Sequence, residues 1–161
     1  MKPFSICLWF DSEAEEAAKF YTSIFKGGKI GLIQRYGKEG FEHHGKPEGS
    51  VMTVDFEANG QRFVGVNGGP SFKFNESISL MVPCESQKQL DEYWEKLLAC
   101  GGKAQQCGWL KDKFGLSWQV VPTLMDEIMA SGNEAGIRRV TAAMFEMVKF
   151  DIEKLRRAFE G

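Results

Sequence analysis

Few side chains in this sequence could do chemistry unaided. The thiols are Cys7, Cys84, Cys100 and Cys107, and the imidazoles are the adjacent His43 and His44, which follow Glu42. A nucleophilic cysteine needs a base or a cation to hold its thiolate, because an unperturbed thiol is mostly protonated at neutral pH. No histidine lies near Cys7 in the sequence, so Cys7 reads as a buried structural thiol. The four cysteines sit in apolar segments without CxxC spacing, which favours reduced, mostly buried thiols over disulfides or zinc ligands. Side chains at 43 and 44 would point opposite ways in an extended segment, so they cannot easily clamp one ion. A solvated loop, or a histidine lid acting as proton carrier or ligand contact, is the expected use. The remaining oddity is Gln119, a polar residue in the apolar run LSWQVV.

These residues must be positioned by an ordinary globular chain. Its 161 residues allow one well-packed domain or two small halves. Apolar residues make up 43% and charged ones 26%, as in soluble proteins. A formal charge of -2 offers no general attraction to phosphate backbones or anionic membranes, so nucleic acid and membrane partners are not expected. No run of about 18 apolar residues exists, and MKPFSICLWFDSEAEE turns acidic before a secretory signal could be completed. A cytoplasmic location follows as the expectation.

The strongest pattern is an internal repeat. SICLWF at 5–10 resembles SISLMV at 77–82, an offset of 72. Each run precedes a capping-box pattern, Ser12 with Glu15 and Ser86 with Gln89, in which the serine serves a free N–H of the first helical turn. The predicted helices cover about 13–26, with Ala14, Ala17, Tyr21, Ile24 and Phe25 on one stripe, and 87–99, with Leu90, Trp94, Leu97 and Leu98. Both end at GGK, where glycine relieves a left-handed cap. Strands are predicted at 30–36, 50–57 and 61–67, and again at roughly 78–83, 103–111 and 116–121. Asn59-Gly60 suits a hairpin, and Asp112 to Gly115 a turn. Matching the two turns aligns Phe63 with Trp118 and Val64 with Gln119. The insertion GKEGFEHHGKPEG at 37–49 reads as an exposed loop.

The expected fold is therefore α+β, a tandem of β-α-β-β-β modules over residues 1–70 and 71–122. A helical extension at 123–161 follows, with Ile137, Val140, Met144 and Met147 or Val148 on one helical stripe. Asp151 can cap a last turn or two carrying Ile152, Leu155 and Phe159. Met125, Met129, Met144 and Met147 would give this tail an adaptable apolar surface.

A tandem unit of this kind resembles the vicinal oxygen chelate superfamily of glyoxalases, extradiol dioxygenases and antibiotic-binding proteins. GGPSFKFNESISLMVPCESQKQLDEYWEKL, CGWLKDKFGLSWQVVP and RRVTAAMFEMVKFDIEKL resemble more narrowly its PhnB-like branch, also labelled demethylubiquinone methyltransferase-like. The resemblance implies one glyoxalase-like domain overall, and a homodimer with a ligand cavity between paired modules. A class I methyltransferase needs a glycine-rich turn between the first strand and helix of a Rossmann-like sheet. GGK and NGGP lie after helices or strands, so methyl transfer is not expected.

The resemblance also implies four inward side chains, His or Glu in metal-dependent relatives. By the repeat they fall on Ser5, Val64, Ser77 and Gln119. Hydroxyls and a neutral amide hold a divalent ion far more weakly than imidazole or carboxylate. No cofactor is expected, and a divalent metal is disfavoured. With Ser5, Ser77 and Gln119 inward, alternation puts Cys7, Trp9, Ser79, Met81, Ser117 and Val121 on the same faces, and Ile6, Leu8, Ile78, Leu80, Trp118 and Val120 beneath the helices. Asp55 and Arg62 could supply charge at the rim. Such a lining suits a neutral or weakly polar small molecule. The function expected is metal-independent small-molecule binding, or an enzyme of that kind. The alternative is a metal-dependent lyase or oxygenase, with His43 or His44 as the candidate contributors.

Overall fold

The structure is a computed structural model in which residues 3–161 are described. Two compact units divide the chain, the first ending at Phe74 and the second spanning Asn75–Gly161. The first holds β1 (Ile6–Phe10), α1 (Ala14–Ile24), β2 (Lys29–Arg35), α2 (Phe41–His44), β3 (Val51–Ala58) and β4 (Gln61–Asn67). The second holds β5 (Ser79–Cys84), α3 (Gln87–Leu98), β6 (Lys103–Ala104), β7 (Trp109–Lys111) and β8 (Ser117–Pro122), then α4 (Leu124–Ala130), α5 (Glu134–Phe145) and α6 (Ile152–Glu160). Each unit builds one four-stranded sheet, ordered β1-β4-β3-β2 and β5-β8-β7-β6. The first strand runs parallel to the last, and the other pairs are antiparallel. This is the α+β tandem expected, with helices closing the chain.

Each sheet buries one face against one helix. Beneath α1, Leu8, Phe10, Val54, Phe56 and Phe63 meet Ala14, Ala17, Ala18, Tyr21 and Ile24. Phe56 stacks on Phe63 at 5.0 Å and on Tyr21 at 5.9 Å. Small residues at 14, 17 and 18 let the helix approach the sheet closely. A Cβ at Gly65 would stand 3.1 Å from the Ala14 methyl. Beneath α3, Val82, Cys84, Leu110, Trp118 and Val120 meet Leu90, Tyr93, Trp94 and Leu97. Burying a side chain of this size contributes about 1.5–3 kcal/mol. Pro83, which cannot donate to a ladder, sits on the edge strand β5.

Register corrects the repeat. Cys7 faces Val64 and Met81 faces Gln119, so the first strands correspond at an offset of 74, the offset that also relates the two GGK sequences. The likeness of SICLWF to SISLMV is therefore two residues out of step. Ile78, expected beneath a helix, precedes β5 and is 71% exposed. The strand predicted at 103–111 is two, because Cys107 and Gly108 take φ of 57° and 76° and turn the chain back on itself. Only the second capping box forms. Gln89 N–H donates to Ser86 Oγ at 3.3 Å, while the Gln89 side-chain Oε1 accepts from Glu85 N–H at 2.8 Å. At α1 the Asn67 side chain, from the end of β4, accepts from Ala14 N–H at 2.8 Å. A cap borrowed from a distant strand leaves no local pattern in sequence.

The turn before β8 is organised by the buried carboxylate of Asp112. Its Oδ1 accepts from Phe114 and Leu116 N–H at 2.9 and 3.1 Å, and its Oδ2 accepts from the Trp118 indole at 2.8 Å. A buried charge persists only where such donors replace water. The tail packs on this unit through its backbone. Cys107 and Gly108 N–H donate to the Met147 and Val148 carbonyls, both at 2.8 Å. Gln87 donates to Phe150 O at 3.1 Å and accepts from Ile152 N–H at 2.9 Å. Lys149 pairs with Asp91 at 2.6 Å, which holds the Asp91 carboxyl below its ordinary value. Asp151 caps α6 through Lys154 N–H at 2.9 Å, as expected. Val140 and Leu155 are buried, whereas Met129, Phe145 and Val148 remain exposed. Replacing Asp112 with Ala strips an acceptor from each of these donors and should cost roughly 2–4 kcal/mol in urea unfolding. Trp118→Phe, which loses one bond, should cost nearer ~1 kcal/mol beyond any packing loss.

Candidate functional site

One helix covers one face of a sheet, so alternate strand residues occupy the other face. In the second unit this open face has two rows. Lys103, Lys111, Ser117 and Ser79 form one, and Trp109, Gln119 and Met81 the other, with Gln105 bonded by its N–H to Trp109 O at 2.8 Å. Gln119 donates its amide across the strands to Ser79 Oγ at 2.8 Å. Lys111 bonds the Glu76 carboxylate at 2.6 Å, and Gln105 donates to the same oxygen at 3.3 Å. Those bonds hold the Glu76 carboxyl below its usual value, the Lys111 contact being the largest cause. Ser117 is wholly buried, yet its hydroxyl has no hydrogen-bond partner among the described residues.

The first unit's open face runs from apolar to charged. Trp9, Val66 and Thr53 form one row, Cys7, Val64 and Asp55 the next, and Arg62, Glu57 and Lys29 the last. Arg62 bonds Asp55 at 2.7 Å and Lys29 bonds Glu57 at 3.1 Å, so these charges are spent on one another. Trp9 donates its indole N–H to Gly69 O at 2.8 Å and meets the Phe72 ring edge-on at 5.0 Å. A Cβ at Gly68 would fall 2.0 Å from the Trp9 ring, which is why glycine stands there.

The expected residues divide accordingly. Ser79, Met81, Ser117 and Gln119 share the second unit's open face, and Cys7 and Trp9 the first unit's. Ser5 lies just before β1, and Ser77 lies in the turn before β5, bonded to Asn75 Oδ1 at 2.5 Å. The offset of 74 makes Ser79, not Ser77, the counterpart of Ser5. His43 is exposed beside Glu42 at 3.4 Å. His44 braces its loop. Its Nδ1 accepts from Lys46 N–H at 2.9 Å, its Nε2 lies 3.2 Å from Glu39 O, and its ring lies 4.4 Å from Tyr36.

Trp109 was missed as a site residue. Recognising the turn at Cys107-Gly108 would have placed it beside Gln119. The cysteines also depart from expectation, for Cys7 and Cys100 are exposed and only Cys84 is buried. Burial pushes the Cys84 thiol up to about 11.

A divalent metal does not fit these residues. Val64 has no donor atom, and the Gln119 amide and Ser79 hydroxyl are neutral and bonded to each other. Among the described residues no group of three or more His, Cys, Asp or Glu is disposed to hold an ion. No helix among them is long and apolar enough to cross a membrane.

Removing the unsatisfied hydroxyl in Ser117→Ala should leave thermal stability unchanged or raise it by up to ~1 kcal/mol, whereas Ser79→Ala should lower it by about 1 kcal/mol. In native thiol labelling, Cys7 and Cys100 should react first and Cys84 only on unfolding. Mass mapping of the labelled peptides checks the order.

The model of the 3-demethylubiquinone-9 3-methyltransferase family matches residues 2–121, so the match ends inside β8 and leaves the tail helices beyond it. A PhnB protein from Bacillus cereus is 33% identical, with a TM-score of 0.66 over 76% of this chain and 100% of its own. A protein from Pseudomonas aeruginosa, 17% identical, has a TM-score of 0.60 over 76% of this chain and 98% of its own. The fosfomycin resistance protein FosX from Listeria monocytogenes, 14% identical, has a TM-score of 0.54 over 79% and 97% respectively. The last two share the fold alone. No curated protein matches this chain. With paired β-α-β-β-β sheets and a family match across three-quarters of its length, the chain belongs to the 3-demethylubiquinone-9 3-methyltransferase family, the PhnB-like branch of the vicinal oxygen chelate superfamily.

Proposed function

We propose that this protein binds a small molecule without a metal, on the uncovered face of the β5-β8-β7-β6 sheet, either as a binding protein or as a metal-independent enzyme. The observation that carries this reading is the bond from Gln119 to Ser79, because the position that holds an acid in chelating relatives is a neutral amide already paired with a hydroxyl. Around it stand a half-buried Trp109 and an exposed Met81. Side chains of this mixed kind suit ligands with an apolar body and a few polar groups.

Methyl transfer, the activity in the family's name, finds little support in the residues. The connection from β1 to α1 is Asp11, Ser12 and Glu13, with no glycine to let a nucleotide-like cofactor approach the helix N-terminus. We also propose a homodimer, which would give the exposed Leu32, Phe72 and Ile78 surface to pack against.

Metal analysis tests the reading. Protein equilibrated with zinc, nickel, manganese or ferrous ion and then dialysed should retain far less than about one ion per chain. Gln119→Glu should not create tight binding. One firmly held ion per chain, lost on replacing Gln119, would instead establish the metal-dependent lyase or oxygenase. Sedimentation at micromolar concentration should return twice the chain mass, and a monomer would remove the dimer.

A further inference from the structure

The Gln119 carboxamide is tethered at one atom and has spare bonding capacity. One N–H goes to Ser79 Oγ, its one side-chain hydrogen bond among the described residues, and giving Ser79 the N–H trans to the carbonyl, as pairing through both remaining atoms requires, leaves the cis N–H and the carbonyl oxygen side by side. Binding a group through both atoms requires a partner with the mirrored pair, a carbonyl beside an N–H. Serine hydroxyls alone could not impose that demand, since a hydroxyl rotates to suit either a donor or an acceptor. The neighbours in the same row define the rest of the ligand. Trp109 and Met81 flank Gln119 in register, an aromatic ring and a thioether, which together favour a flat ring system.

Charge restricts the choice further. The ammonium of Lys111 is taken by Glu76, and Lys103 lies on β6, two strands from Gln119 and roughly 10 Å away at ordinary strand spacing. The row that contains Gln119 holds no charged side chain. A carboxylate or phosphate placed there would face a carbonyl oxygen and lose water without gaining a counter-charge.

We infer that this face recognises a neutral, planar lactam or amide, with its C=O and N–H paired to Gln119 and its ring against Trp109 and Met81. The inference rests on the proposal that the second sheet's open face binds small molecules, and it names the class of molecule. Ser79 is the positioning residue, because it holds the plane of the amide without touching the ligand.

The test uses the full-length protein and three probes: 2-quinolinone, its N-methyl derivative, which lacks the N–H, and 2-naphthoate, which replaces the lactam with a carboxylate. Binding is followed by NMR on the Gln119 side-chain amide and the Trp109 indole. The lactam should bind about 10-fold or more tightly than either analogue, the size of effect that one paired hydrogen bond supplies. Both resonances should shift. Gln119→Leu should erase the preference, and Ser79→Ala should weaken lactam binding several-fold while leaving the N-methyl analogue unchanged. If all three probes bind equally, or the preference survives in Gln119→Leu, the amide-pairing inference falls while the binding face stands. Tighter binding of naphthoate overturns the neutral class. If no probe moves either resonance, the lactam inference is overturned, and the binding-face reading stands or falls on ligands of other classes. Should Gln119→Leu fail to fold, the wild-type ratio of lactam to N-methyl lactam decides alone.

Discussion

A single helix per four-stranded sheet is the constraint on which everything else rests. α1 and α3 each cover one face, and apolar residues at alternate positions, such as Leu8, Phe10, Val82 and Cys84, fill that interface. The intervening residues are thereby committed to the uncovered side, whatever their chemistry. Gln119 sits amid apolar neighbours for this reason. Trp118 and Val120 belong to the core beneath α3, and Gln119 belongs to the other surface.

The two units meet this constraint with different polar residues. In the first, the chain entering α1 is held by Asn67, whose amide nitrogen also donates to Val51 O at 3.0 Å, tying the helix start to two strands. In the second, α3 has its own local cap, Asp112 braces the turn before β8, and the long-range polar work passes to Gln87. The open sheet faces diverge similarly. One carries crossed ion pairs and an indole held by a glycine strap, and the other an amide, hydroxyls and a thioether.

Much of this was legible in the sequence because it depends on periodicity and punctuation. The helical stripes, the turn at Asp112 to Gly115, the cap at Asp151 and the tandem architecture all leave local patterns. What was not legible depends on pairing. An offset of 72 read from similar letters differs from 74 read from hydrogen-bonded partners, and no local pattern separates the two. The hairpin at Cys107 was hidden because a non-glycine residue takes the left-handed conformation there. Ser79 and Trp109 became neighbours of Gln119 only when strand register was known, and the exposure of Cys7 followed from the same alternation.

The second sheet is also the slighter one. β6 and β7 span two and three residues, where β2 and β3 span seven and eight. The hairpin between β6 and β7 completes its backbone bonding with Met147 and Val148, about forty residues further along the chain. Two halves of one duplicated plan therefore differ in how they must fold. The first closes mostly through pairings within its own strands, while the second waits for its C-terminal segment to arrive. During synthesis the second sheet would thus be the last part of the chain to become secure.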